Sequence, residues 1–155
     1  MKRAAPIPFV LLVLVALAAL FVKPESTGAA AGPELSAGDT AWMLTAAALV
    51  LLMTPGLSYF YGGMVGFKNV VSTMFQSVVA LGVCSVLWFV FGFSLAFGDD
   101  VGDLGIIGNP MTFFMFDGVG PETATLGKTG GLPLAVPLLV FAMFQLKFAI
   151  ITPAL

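Results

Sequence analysis

Two phenylalanines four residues apart, Phe144 and Phe148, are the side chains whose type and spacing best suit chemistry. On a helix they stack along one face. A phenyl face attracts a cation by about 0.5–2 kcal/mol, most strongly where water is excluded. A pair of rings can also close a narrow passage to water. The same spacing serves ordinary helix or lipid packing. Gln145 and Lys147 lie beside them. A charge at mid-membrane depth costs about 2.5 kcal/mol or more, so Lys147 meets a partner, faces a cavity, or snorkels to the helix end. A third candidate is the acidic stretch holding Asp99, Asp100, Asp103, Asp117 and Glu122 against Lys128 alone. Those carboxylates would concentrate cations at a pore mouth, or they face water as a solvated loop.

Other chemistries are poorly supplied. The sequence has no histidine, which removes the commonest metal ligand and general base. Cys84 is the one cysteine, so neither a disulfide nor a CxxC metal site forms within one chain. Its apolar surroundings make it a small packing residue. No glycine motif for a nucleotide is present, and the net charge of -2 argues against nucleic acid. The reading is therefore of a protein that is not an enzyme and has no cofactor.

Composition sets the solvent in which such residues act. Of 155 residues, 59% are hydrophobic and 9% charged, whereas soluble domains carry about 25% charged residues. A fold of this length cannot hide that much apolar surface from water, so the lipid bilayer must be its partner.

The chain divides accordingly. Residues 1–31 read as a signal peptide: Lys2 and Arg3, an apolar run from Phe9 to Val22 too short to span, and small residues at 27–31. Residues 32–155 form the membrane domain, with spanning helices expected at about 40–65, 69–97 and 132–155. Asp39 is the expected N-cap of the first. The stretch TPGLSYFYGGMVGFKN, residues 54–69, ends that helix. Pro55 should kink or open it, with Ser58 or a neighbouring helix satisfying the freed carbonyl. Tyr59 and Tyr61 suit an interface. Gly62, Gly63 and Gly66 allow close backbone approach. In the second helix, Gln76 should face protein rather than lipid. Residues 98–131 read as an irregular loop. Pro133 suits the first turn of the third helix, and Pro137 and Pro153 should bend it.

Charge also sets a direction. Lys2, Arg3 and Lys68 belong on the cytoplasmic side, which puts the mature N-terminus and the acidic loop outside.

Three stretches carry a resemblance. The run from Asp39 to Gln76, with its PG, FYGG and KN elements, is similar to the start of the ammonium transporter family (Amt/Mep/Rh). LWFVFGFSLAFGDD, residues 87–100, resembles the end of that family's second helix, and MFQLKFAIIT, residues 143–152, resembles its third. The resemblance implies an all-α transmembrane fold: a signal peptide plus the first three helices of an eleven-helix subunit. It implies transport of ammonium/ammonia for nitrogen uptake, a homotrimer, a cell (plasma or inner) membrane location and a possible cytoplasmic regulatory protein. Phe144 resembles the aromatic of the external recruitment site and Phe148 one of two gate phenylalanines. The family's recruiting tryptophan and serine, second gate phenylalanine, conserved aspartate and two pore histidines would lie beyond residue 155. The alternative is a three-helix structural or regulatory membrane subunit without its own pore.

Overall fold

The computed structural model describes Val10 and residues 30–101, 106–127 and 131–154. The expected signal peptide lies, apart from Val10, Ala30 and Ala31, outside the described residues. Ala30–Ala31 form a short strand, β1.

Helix α1 runs over Ala37–Met64, 28 residues. Its N-cap is Ser36 rather than Asp39: the Ser36 hydroxyl accepts from the Asp39 N–H at 3.2 Å. Asp39 instead places its charge in the first turn, where free N–H groups favour an anion. The Ser36 N–H donates to Ala135 O at 2.8 Å, so the cap is tied to the far end of the chain. Pro55 does not break the helix, which continues through it.

A turn at Gly66 and a 3-10 turn over Phe67–Asn69 lead into α2, Val70–Leu87. The helix then widens into a π-helical turn, Trp88–Gly92, and ends as α3, Phe93–Phe97. The Phe93 N–H reaches back to Trp88 O, five residues earlier, which is the π-type bond. Gly92 permits this turn because a Cβ there would lie 3.2 Å from Leu87 O and 3.3 Å from Trp88 Cε3.

The connection after α3 is built rather than irregular. Ser94, fully buried, accepts the Phe113 N–H at 2.9 Å, and Thr112 Oγ1 accepts the Asp99 N–H at 3.1 Å. Gly98 must be glycine, since a Cβ there would press into Ser94 O. A 3-10 turn follows at Phe114–Phe116, where Met115 (φ 54) and Phe116 (φ 62) adopt left-handed backbone angles. Such angles are costly for side chains of this size. Packing holds Phe116 there, with its ring 5.0 Å from Phe89 and 5.5 Å from Phe93.

Strand β2, Thr123–Leu126, pairs antiparallel with β1 on one side and β3, Leu132–Pro137, on the other. Ala30 lies opposite Thr125, and Ala124 opposite Leu134. Residues 132–137 are therefore strand, not the start of the third helix, and helix α4 begins at Leu138 and runs to Ala154. Two prolines account for the difference in part. Pro133 and Pro137 lie in the strand and at its end, where their missing N–H groups are tolerated. Only Pro153 falls within α4, at its last turn. The chain is thus mostly helical, not all-α.

The core lies at the end of the helices away from the α1–α2 turn. Phe93, Phe113, Leu134, Val136, Leu138 and Phe141 bury together there. Two helical stretches, Ala37–Met64 and Phe67–Phe97, are long and apolar enough to cross a membrane; α4, at 17 residues, is shorter. Replacing Ser94 with Ala leaves the buried Phe113 N–H without its acceptor. The expected loss is about 1–3 kcal/mol, read as a lower unfolding midpoint for the purified chain in detergent.

Candidate functional site

Phe144 and Phe148 do meet. Their ring centroids are 5.2 Å apart at 77°, an edge-to-face contact. The four-residue spacing on α4 brings them together, as helical geometry requires. An edge-to-face contact covers at most one face of one ring. Phe148 is 42% exposed and Phe144 half-buried. The Thr152 hydroxyl donates to Phe148 O at 3.0 Å, keeping its own polar group satisfied within the helix. Gln145 and Lys147 are half-buried on the same helix.

The position of α4 is set from the π-helical turn and α3. The Trp88 indole N–H donates to Ala142 O at 3.1 Å. The Phe97 ring stands edge-on to Phe141 at 5.0 Å. Leu138 and Leu139 donate their N–H groups to Glu122 O and Gly120 O, each at 3.0 Å. The first turn of α4 is thereby capped by the loop.

The acidic candidates separate. Asp99 and Asp100 are half-buried and engaged by other groups, while Asp117 and Glu122 are exposed. Asp103 and Lys128 fall outside the described residues. Among the described residues no group of Cys, Asp and Glu is arranged to hold a metal ion.

A cavity lies elsewhere. A groove of about 780 Å³ runs between α1 and α2, and none of its lining residues belongs to α4. Its α1 wall carries Thr54 and Ser58, whose spacing continues to Gly62; all three are buried. The Ser58 hydroxyl crosses to Met74 O at 3.2 Å rather than serving the carbonyl freed by Pro55. Thr54 Oγ1 is buried with no hydrogen-bond partner among the described residues. Of the three glycines near the turn, Gly62 packs closely, with Met74 Cγ 3.0 Å from where its Cβ would stand. A Cβ at Gly63 or Gly66 would meet nothing within 4 Å among the described residues. Gln76 is exposed on this chain. The stripe of small residues at intervals of four was visible in the sequence. Its packing role was not, because three glycines offered the same cue.

The sequence profile described as the Ammonium Transporter Family matches residues 41–155. The chain belongs to that family. An ammonium transporter of Mycobacterium tuberculosis is 51% identical over 126 residues, covering 76% of this chain and 26% of that protein. One of Aquifex aeolicus is 42% identical over 123 residues, covering 79% of this chain and 27% of its own length. The chain therefore spans about a quarter of the length of these relatives. Family membership and two membrane-length apolar helices together make this a membrane protein. That family is one of transporters, not of enzymes.

The exposed apolar rows of α1 and α2, including Leu49, Leu52 and Phe75, then face hydrocarbon or neighbouring helices. The unpartnered Thr54 hydroxyl is a defect in that setting. Exchange of Thr54 for Val, close in shape and without the hydroxyl, is expected to stabilise the isolated chain by about 1 kcal/mol. An upward shift of the thermal midpoint in detergent checks this.

Proposed function

We propose that this chain is the N-terminal part of a transporter of ammonium/ammonia, with Phe144 in its external recruitment site and Phe148 in its phenylalanine gate. The observation that carries the reading is the edge-to-face pair of Phe144 and Phe148 on a helix of a family member. Ammonium needs a replacement for its hydration shell on leaving water. A phenyl face supplies part of one, worth about 0.5–2 kcal/mol by cation–π attraction. A dry constriction beyond it disfavours the charged form, because burial lowers the pKa of an amine. Phe148 then acts as a barrier to water and to hydrated ions, and ammonia with a proton moves inward.

The rest of the reading follows from the resemblance and from charge. Helix α1, the helical run Phe67–Phe97 and α4 are the first three helices of an eleven-helix subunit. The mature N-terminus and the acidic loop face outward, and Lys68 faces the cytoplasm. The whole protein assembles as a homotrimer in the cell membrane for nitrogen uptake, and a cytoplasmic regulatory protein is a candidate partner.

A chimera tests this within a complete transporter. The 126 residues of the Mycobacterium tuberculosis relative that match this chain are exchanged for the corresponding ones here. Methylammonium uptake is then measured with and without Phe148→Ala. The expected result is uptake by the chimera and altered rate or selectivity in the variant. Unchanged uptake and selectivity in the variant would sink the gating role and favour a structural or regulatory subunit.

A further inference from the structure

We propose that Trp88 is the positioning residue for the phenylalanine pair: its indole N–H, bonded to Ala142 O, fixes the rotation of α4 and so aims Phe144 and Phe148. The inference rests on the reading of that pair given above, and adds to it a residue on a different helix.

The need for such a device comes from the composition of α4. Its sequence, LLVFAMFQLKFAIITPA, is apolar almost all round. A helix in contact with water turns its apolar stripe inward, which fixes its rotation. In hydrocarbon that force is absent, because lipid tails are as apolar as the helix. Rotation must then come from shape and from directional bonds.

The Trp88 bond is directional and well placed. Ala142 is fully buried, facing the core. Successive residues turn by about 100° on an α-helix, so Phe144 lies about 160° round the axis from Ala142, and Phe148 about 120°. Slippage of α4 by one residue would swing both rings through about 100°. It would also strand the indole N–H in a setting without water, which is costly. The bonds at Leu138 and Leu139 hold only the first turn. The Trp88 bond acts one turn further on, close to the pair.

The donor is itself held. Trp88 opens the π-helical turn, its carbonyl accepting from Phe93. Its ring lies 5.9 Å from Phe93 and 6.4 Å from Phe97. The π-helical turn shifts the phase of the helix, so that Trp88 and the Phe93–Phe97 rings share one cluster facing α4. Because the acceptor is a main-chain oxygen, the interaction can be removed only at the donor.

The test uses the same chimera and two changes. Trp88→Phe keeps a ring and loses the N–H. Benzothienylalanine at position 88 keeps the indole shape and loses the same donor. Methylammonium uptake is measured as half-saturating concentration and maximal rate, with the amount of membrane-inserted protein measured alongside. The expected result is a shift in half-saturating concentration or selectivity of about tenfold in both variants, at unchanged protein amount. In the background of Phe144→Ala with Phe148→Ala, adding Trp88→Phe should change little further, since it acts through those two rings. Kinetics that stay at the parental values, effects that add independently, or a loss of protein amount alone would each overturn the positioning role. If Phe148→Ala itself changes nothing, the reading of the pair fails, and this inference with it. If Phe148→Ala alters uptake and both Trp88 changes do not, only the inference fails.

Discussion

The packing of rings around Phe93 is the interaction on which the rest of the molecule depends. Phe93 is fully buried and lies within 6 Å, centre to centre, of Trp88, Phe97, Phe113 and Phe116. Those residues come from the π-helical turn, the end of α3 and the following loop. Phe97 carries the contact on to Phe141 of α4. Aromatic pairs add about 0.5–1.5 kcal/mol each beyond the area they bury, and dispersion still operates where water does not drive association. The cluster also explains the left-handed backbone at Met115 and Phe116, which brings the Phe116 ring onto Phe93 and Phe89.

Around that cluster, polar groups are satisfied locally. Ser94 holds Phe113, Thr112 holds Asp99, and Ser36 joins the start of α1 to β3. Toward the α1–α2 turn the arrangement loosens. There Ser58 makes its bond across the helices, while the Thr54 hydroxyl makes none among the described residues. The two ends of the molecule thus differ in kind. One is a built core with a small sheet, and the other is a pair of lipid-length helices with an apolar groove between them. The proposed substrate-contacting rings lie on α4, which the built end positions.

Much of this was legible in the sequence. Low charge and long apolar runs gave the membrane class, and the first two helices were read with their ends displaced by a few residues. The Phe144–Phe148 contact was legible because a helix brings residues four apart together whatever surrounds it. The N-cap was misplaced because Ser36 and Asp39 are both good capping residues, and the choice rested on where the chain joins Ala135. The third helix was begun too early because the apolar run from Leu132 is continuous. Its first six residues are claimed by β2, a partner that composition cannot reveal.

The sequence by itself determined the solvent, the family and the local pairing of the two rings, since each follows from residue types or from spacing along a single helix. The tertiary structure decided how α4 is rotated, which small residues pack and which stand open, and which hydroxyl lacks a partner. Those depend on contacts between residues far apart in the chain, such as Trp88 with Ala142 and Ser58 with Met74. An apolar helix in an apolar solvent carries no rotational signal of its own, so its direction had to come from its neighbours.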